Sequence, residues 1–316
     1  MEYRRLGESD LIVSKLCLST AMFGNRTDEV TSAAMFDLSL ESGINFFDCA
    51  DFYQRGTAEE IFGKLIIDCR DDIIIATKLR CPTVNDVENH GSCCQYIFKS
   101  IEDILYRLRT DYIDLYYIHD YRGRFVEEML RALNDLVQQG RIRYLAASNF
   151  AAWQFVKTNE ISRMHDWAKL VCIQPLFDLV NRQAESDIMP MAKSENIAVV
   201  PYNTLGEGIF LGNRYHLNEL RRVRFKEDEV NDLYYRENWK IKVAEQIADL
   251  AKKRGYHPNS LATAWVTSHP VVTSTIIESR NLEQLETFLD SLQVDMSKEL
   301  WEDISSFSPP PPSLSG

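Results

Sequence analysis

The sequence lacks any apolar run long enough to span a bilayer, which takes about 20 residues as a helix. It also lacks a C-x-x-C pair, and its 7 cysteines are an odd number. A disulfide framework is therefore not expected, and reduced thiols fit better. The first residues lead into no apolar stretch of the signal-peptide type. Together these features predict a cytosolic protein that is not a membrane protein.

Positive charge is scarce as well. The chain of 316 residues has 35 Lys and Arg against 47 Asp and Glu, which gives a formal net charge of −12. Nucleic acids and anionic membranes attract basic surfaces, so an acidic chain is a poor partner for either. We therefore predict that the protein binds neither nucleic acid nor a membrane surface.

Two common site signatures are missing. An open dinucleotide-binding sheet carries G-x-G-x-x-G after its first strand, but residues 21–26 read AMFGNR. The lone G-x-G at Gly206 and Gly208 is weak evidence for any function. A rival interpretation is a metal-dependent hydrolase that uses His119 and Asp120. No His-x-His pair is present and the 6 histidines are scattered, so we expect no metal site.

The chain does contain a repeated pattern of short apolar segments separated by stretches with helical spacing. In those stretches apolar residues recur at steps of three and four, as in Ile101, Ile104 and Leu108. The short segments read apolar throughout, as strands buried on both faces do. The pattern predicts an α/β fold, a (β/α)8 TIM barrel with extra C-terminal helices and loops. The predicted strands cover 15–20, 44–48, 72–78, 112–119, 142–148, 170–174, 198–202 and 272–277.

The composition changes near the carboxyl end, where a run of prolines begins. We predict one barrel domain over residues 1–307 and a disordered, proline-rich tail over residues 308–316. The prolines could serve as a polyproline II ligand for a partner, but a solvated tail is the more common case.

Five successive predicted strands, the second to the sixth, end in a polar residue. In a (β/α)8 barrel the carboxyl ends of the strands form one rim, and the chemistry takes place there. A single polar residue after a strand usually means only that a loop begins, but recurrence at one rim is a stronger signal. The rim residues are Asp48, Lys78, His119, Ser148 with Asn149, and Gln174.

Proton transfer is the chemistry that this set of side chains indicates. Tyr53 follows Asp48 by five residues, so we expect its phenol over the same rim. The ordinary pKa of tyrosine is about 10, and an ammonium group at Lys78 would favour the phenolate form and make Tyr53 a better proton donor. Asp48 would neutralise and position Lys78, and His119 would hydrogen-bond the substrate oxygen.

The loop that carries Tyr53 is predicted to be short and anchored. Thr57, Ala58, Glu59 and Glu60 follow it, and this segment has the form of a capping box. In that arrangement Thr57 is the N-cap of the next helix and Glu60 returns the second hydrogen bond.

These segments resemble the aldo-keto reductase superfamily over nearly the whole chain. Residues 43–53 (GINFFDCADFY) are similar to its Asp-x-Ala-x-x-Tyr motif, and residues 76–78 to its lysine-bearing strand end. Residues 107–119 resemble the segment that leads to the family's histidine, and residues 140–150 the stretch with its Ser-Asn pair. The resemblance implies reversible reduction of an aldehyde or ketone to the alcohol, with Tyr53 as general acid. The catalytic residues that it implies are Asp48, Tyr53, Lys78 and His119.

The resemblance also implies NADPH as the hydride donor, with NADH less favoured. At the adenine end the sequence departs from the family, because Glu278 and Ser279 replace the usual Gly-Ala and Phe288 replaces a polar Asn. Arg280, just before the predicted helix 282–289, is expected to hold the 2′-phosphate. The cofactor-binding residues implied are Ser148, Asn149, Gln174, Tyr202, Leu205, Gly208, Arg280 and Gln284.

Two interpretations of the function stay open. The first is an active reductase acting on a small carbonyl compound, and the second is a catalytically quiet regulatory subunit of reductase-like fold that binds NADPH. Arg80, Arg122 and Arg124 could favour an anionic substrate, or they could be solvated loop residues. The sequence indicates neither the particular substrate nor the oligomeric state.

Overall fold

The structure is a computed structural model, and it describes residues 1–79, 92–121, 123, 125–211 and 238–311. Two sheets are present in these ranges, a short antiparallel hairpin and an eight-stranded parallel sheet. The strands are β1 (Tyr3–Arg5), β2 (Ile12–Ser14), β3 (Leu16–Ser19), β4 (Phe46–Asp48), β5 (Ile74–Leu79), β6 (Ile113–Ile118), β7 (Ile142–Ser148), β8 (Leu170–Gln174), β9 (Ala198–Val199) and β10 (Thr275–Ile277).

The parallel sheet runs in chain order from β3 to β9, and β10 returns to pair with β3. Hydrogen bonds next to β9 and β10 complete the circle. The amide of Thr273 donates to the carbonyl of Val199 at 2.8 Å, and the amide of Ile276 donates to the carbonyl of Pro201 at 3.0 Å. The predicted (β/α)8 barrel is therefore confirmed, and each of the eight predicted strands has its counterpart in the structure.

Helices cover the outside of the barrel. The stretch with helical spacing at Ile101, Ile104 and Leu108 is confirmed as a helix, and these three residues are buried. The predicted segment 282–289 is also a helix with those bounds. The described helices are α1 (Glu29–Glu41), α2 (Thr57–Leu65), α3 (Cys93–Leu108), α4 (Val126–Gln138), α5 (Ala152–Met164), α6 (Ile188–Ser194), α7 (Asn238–Arg254), α8 (Pro258–Thr267), α9 (Leu282–Leu289) and α10 (Lys298–Ser305).

The inside of the barrel is a packed core of its own. Alternate residues of each strand point into it, and Phe46, Ala76, Ala146 and Cys172 belong to this inner cluster. A strand has a side-chain period of two, so the residue two positions later points inward again, one layer nearer the carboxyl rim. This rule points the side chains of Asp48, Lys78, Ser148 and Gln174 into the barrel near its carboxyl rim. These residues belong to the polar strand ends predicted above.

The hairpin formed by β1 and β2 closes the opposite end of the barrel. Leu6, Leu11 and Val13 are buried in the inner cluster. At the turn, Gly7 has a φ of +56°, and a Cβ there would lie 2.6 Å from the carbonyl oxygen of Val171, so only glycine fits. This hairpin was not predicted from the sequence, because three-residue strands carry too little alternation to be recognised.

Some predicted features fall at the edge of the described residues. Arg80, Arg122 and Arg124 lie outside them, as do residues 312–316 of the predicted tail. Ser308, the first residue of that tail, is buried, and its hydroxyl accepts a hydrogen bond from Arg182 at 3.2 Å. The division of the chain at 307 and 308 stays a prediction. Within the described ranges no helix is long and apolar enough to cross a membrane.

Candidate active site

A buried ion pair joins the ends of two neighbouring strands. Asp48 ends β4 and Lys78 lies near the end of β5, and the Lys78 ammonium donates to the Asp48 carboxylate. The same ammonium donates to the carbonyl of Cys49 at 3.0 Å and to the phenol oxygen of Tyr53 at 3.3 Å. The other Asp48 oxygen accepts from Gln174 Nε2 at 3.0 Å. Both buried charges are therefore matched by hydrogen-bonding partners, without which their burial would be strongly unfavourable.

The charge state of Lys78 follows from this geometry. Its side chain is only 2% exposed, and removal from water lowers the pKa of a lysine. The neighbouring Asp48 carboxylate and Tyr53 phenol outweigh that effect and raise the pKa of Lys78 above its ordinary value. Lys78 is therefore an ammonium group throughout the neutral range.

The pKa of Tyr53 moves opposite to the sequence-based expectation. Desolvation under the barrel mouth raises it, the Lys78 ammonium opposes the shift, and desolvation wins. The expectation that Lys78 makes the phenol easier to ionise was wrong in the net direction of the pKa shift. The sequence reveals the charged residue Lys78, but it does not reveal that Tyr53 is buried. The phenol consequently keeps its proton at neutral pH and has it available to donate.

The Tyr53 loop is anchored, but the predicted capping box is wrong. The N-cap of α2 is Gly56, with a left-handed φ of +94°, and Thr57 is the first residue of the helix. The anchor is Glu59, whose buried carboxylate accepts hydrogen bonds from Thr77 Oγ1 at 2.7 Å and Arg107 Nε at 2.8 Å. Burial raises the pKa of Glu59 to about 7, and these two partners oppose the shift.

His119 follows β6 and lies on the same rim. Its amide donates to the carbonyl of Leu79 at 3.3 Å, and its own carbonyl accepts from Asn149 Nδ2 at 3.1 Å. Its ring packs against the ring of Phe52 with centroids 4.7 Å apart. Phe52 is the neighbour of Tyr53 in the chain, and His119 and Tyr53 line the same cavity.

A cavity of about 320 Å³ opens at the carboxyl ends of the strands. All 12 residues predicted for catalysis or cofactor binding line it. The strand ends and the turns that follow them bring these residues to one place, although they are spread over more than 200 positions of the chain. Other lining residues were not predicted to belong to the site, and among them are Ser19, Asn203, Thr204, Glu207, Leu211 and Ile276.

One amide connects several of the predicted cofactor residues. Asn149 has a left-handed φ of +55°, a conformation that asparagine tolerates. Its Nδ2 donates to the His119 carbonyl and to Ser148 Oγ, and its Oδ1 accepts from the Tyr202 hydroxyl at 2.8 Å. Ser148 Oγ in turn donates to the carbonyl of Gln174 at 3.1 Å. The walls on this side of the cavity are therefore rigidly connected.

The far end of the cavity contains charges of both signs. Arg280 follows β10 just before α9, and its amide donates to Gln284 Oε1 at 3.0 Å. Glu278 and Glu207 line the same cavity. Desolvation and the Glu207 carboxylate raise the pKa of Glu278, while Arg280 and Arg26 oppose the shift. An anionic ligand would meet an arginine here, with two carboxylates nearby.

Comparisons with known proteins agree with this geometry. Residues 15–309 match the model of the Aldo/keto reductase family. The chain is 32% identical to the uncharacterized oxidoreductase YrpG of Bacillus subtilis, over 98% of this chain and 97% of that one. It is 30% identical to norsolorinic acid reductase B of Dothistroma septosporum, over 98% and 82% of the two chains. It is 28% identical to a putative aryl-alcohol dehydrogenase of Schizosaccharomyces pombe, over 94% and 93%.

The chain therefore belongs to the aldo/keto reductase family, and it is an oxidoreductase. Enzymes of this family act on small carbonyl compounds with nicotinamide cofactors, so carbonyl reduction is its general chemistry. In the described part of the chain no group of three or more His, Cys, Asp or Glu side chains could hold a metal ion.

Proposed function

We propose that the protein reduces an aldehyde or ketone with NADPH and that Tyr53 is the general acid. The observation that carries this proposal is the hydrogen bond from Lys78 Nζ to the Tyr53 oxygen, 3.3 Å long, at the mouth of the barrel. A protonated phenol next to a buried ammonium can release its proton to a carbonyl oxygen, because the ammonium stabilises the phenolate that remains. His119 lines the same cavity, and in this proposal it donates a second hydrogen bond to that oxygen.

The lining of the cavity fits a nicotinamide dinucleotide. Asn149 and Gln174 offer carboxamide groups and Tyr202 an aromatic face for the nicotinamide end, and Ser148 fixes Gln174. When bound, NADPH supplies the hydride that adds to the carbonyl carbon. The backbone at Leu205 and Gly208 would hold the pyrophosphate, and Arg280 with Gln284 the 2′-phosphate end. Glu207 and Glu278 work against phosphate there, so we expect weaker NADPH binding than Arg280 alone would give.

Tyr53, Lys78 and Asp48 each have a separate role in the proposed proton transfer. Tyr53 gives its proton to the developing alkoxide, and Lys78 holds the phenolate until solvent returns a proton. Asp48 keeps Lys78 in place and balances its charge. The overall reaction consumes a carbonyl compound, NADPH and one proton, and it yields the alcohol and NADP⁺.

An aromatic face at the mouth indicates which carbonyl compounds to test first. Phe52 is 42% exposed and packs edge-on against Tyr53 with centroids 5.0 Å apart. Two relatives are named norsolorinic acid reductase B and putative aryl-alcohol dehydrogenase, and the second of these names specifies an aryl substrate. We propose that carbonyl groups attached to aromatic rings are among the substrates of this protein.

The test is NADPH oxidation by the purified protein against a panel of aromatic and aliphatic aldehydes and ketones. Turnover of at least one compound, with the alcohol as product, is the expected result. NADPH binding without turnover of any compound would contradict the proposal and favour the regulatory-subunit interpretation. A cytosolic location and the lack of nucleic-acid binding stay predictions from charge and cysteine content.

A further inference from the structure

Glu59 is a fully buried carboxylate that lies outside the substrate cavity. It is in the first turn of α2, and its exposed fraction is 0%. Both of its oxygens have strong partners. Oε1 accepts from Thr77 Oγ1 at 2.7 Å, and Oε2 accepts from Arg107 Nε at 2.8 Å and Nη2 at 2.7 Å. A buried charge of this kind is a poor source of stability compared with an apolar residue, so its presence calls for another explanation.

The partners of Glu59 connect it to the proposed proton donor. Thr77 is the residue before Lys78 on β5, and Arg107 lies in the last turn of α3. Glu59 itself follows the Tyr53 loop by a few residues. One carboxylate therefore joins the strand that carries Lys78, the helix that continues from the Tyr53 loop, and a third element outside the barrel.

The Tyr53 loop needs support, because its backbone is strained. Gln54 and Arg55 have left-handed φ values of +50° and +57°, and Gly56 follows at +94°. Non-glycine residues remain in this region only where the surroundings hold them. The Arg107 side chain supplies part of this support, because it packs closely against Gly56. A Cβ added to Gly56 would lie only 2.8 Å from Arg107 Cδ. The guanidinium that grips Glu59 thus belongs to a side chain packed directly beneath the end of the loop.

We propose that Glu59, held by Arg107, is a positioning residue for carbonyl reduction. It fixes the loop against β5 and so sets the distance between the Tyr53 oxygen and Lys78 Nζ. It touches neither substrate nor cofactor and acts through Tyr53. This inference rests on the proposed function, in which Tyr53 donates the proton.

The test compares Glu59→Gln with a matched control, Asp114→Asn. Asp114 is a buried carboxylate with two arginine partners, Arg70 at 2.7 Å and Arg143 at 3.1 Å, and it lies at the opposite end of the barrel wall. Glu59→Gln keeps an acceptor for Thr77 but loses the charge that holds Arg107. We expect kcat to fall about 10- to 100-fold with little change in the Kd of NADPH, because small misplacements of a reacting group have effects of this size. Asp114→Asn should lose stability, while kcat of the folded enzyme stays within about 2-fold.

Two further measurements separate positioning from a merely structural role. The solvent deuterium isotope effect on kcat should be larger in Glu59→Gln than in the wild type, because proton transfer becomes more rate-limiting. Hydrogen–deuterium exchange should become faster in residues 53–57 of Glu59→Gln and stay unchanged there in Asp114→Asn. If Glu59→Gln folds poorly, Thr77→Val removes one hydroxyl partner at similar volume and should shift the same two measurements by less.

The outcomes distinguish this inference from the proposed function. A Tyr53-dependent wild-type reductase whose Glu59→Gln and Thr77→Val variants keep kcat and isotope effect would overturn the inference alone. A wild-type protein without turnover would overturn the proposed function. In that case the exchange of residues 53–57 decides the structural part of the inference, and unchanged exchange in both variants would overturn it.

Discussion

Lys78 on β5 and Asp48 on β4 form an ion pair whose two charges are both buried and both fully engaged. Gln174, on the opposite side of the barrel, donates to the second Asp48 oxygen, so the carboxylate is held from two directions. An isolated charge in this position would lack compensation from water, and the stability of each residue should therefore depend on the other.

We expect a double-mutant cycle on this pair to show strong coupling. Lys78→Met leaves Asp48 buried without its cation and should cost about 3–5 kcal/mol of unfolding free energy. Adding Asp48→Asn should recover part of that stability, because the orphaned charge is gone, but no turnover. Chemical denaturation of the four proteins measures the coupling. Strictly additive losses would mean that the two residues do not interact in solution.

Asp178 should make the stability of the protein depend on pH. It is fully buried, and burial raises its pKa to about 7, although hydrogen bonds from Asn181 Nδ2 and the amide of Val180 oppose the shift. The folded protein therefore binds this proton more tightly than the unfolded chain between about pH 4 and about pH 7. The contribution of Asp178 to stability is fully present below that range and is lost as the pH rises through it.

Asp178→Asn isolates this effect, because the variant keeps the shape of the side chain and cannot titrate. The difference in unfolding free energy, wild type minus variant, should fall by about 4 kcal/mol between about pH 4 and about pH 7. Above about pH 7 it should be constant. A difference that does not change with pH would show that Asp178 has no raised pKa in the folded protein.

Arg280 should select NADPH over NADH. Its backbone is fixed independently of its side chain, since its amide donates to Gln284 and its carbonyl accepts from Thr27 Oγ1 at 3.0 Å. Arg280→Ala should therefore leave the local fold intact and weaken NADPH binding by about 1.5–3 kcal/mol, the contribution of hydrogen bonds to a charged group. NADH binding should barely change. Isothermal titration with both cofactors measures this, and equal losses for the two would show a structural role instead.

Glu278 lies at the same end of the cavity as Arg280, and its removal should have the opposite effect on NADPH binding. Glu278→Gln removes a negative charge near the proposed phosphate position and should tighten NADPH binding a few-fold at low ionic strength. The gain should shrink at high salt, because dissolved ions screen the repulsion between Glu278 and the phosphate. NADPH affinity unchanged at low salt would place the phosphate elsewhere.

The sequence was sufficient for the barrel and its rim, for physical reasons that particular residues illustrate. Strands buried on both faces are apolar throughout, so segments such as 112–119 could be recognised, and the polar residue that ended each one marked the carboxyl rim. Asp48 and Lys78, which the sequence placed at the ends of neighbouring strands, meet at that rim. These are local properties of the chain, and local properties can be predicted without a structure.

The features that could not be predicted depend on burial or on distant contacts. The direction of the Tyr53 pKa shift is set by desolvation, and the residues next to Tyr53 in the sequence do not indicate how deeply it is buried. The capping box at Thr57 had the correct residue types, but Gly56, in the left-handed conformation, is the N-cap and Thr57 is the first residue of the helix. The true anchor joins Glu59 to Arg107, 48 positions later in the chain, and nothing near Glu59 indicates that contact.

The Tyr53→Phe variant is the sharpest test of the proposal that Tyr53 donates the proton in carbonyl reduction. The change removes one hydroxyl and keeps the ring that packs against Phe52. With the best carbonyl substrate of the wild type, we expect kcat to fall by at least about 100-fold, the usual scale of general acid catalysis, with little change in the Kd of NADPH. A Tyr53→Phe enzyme with the kcat of the wild type would contradict the account.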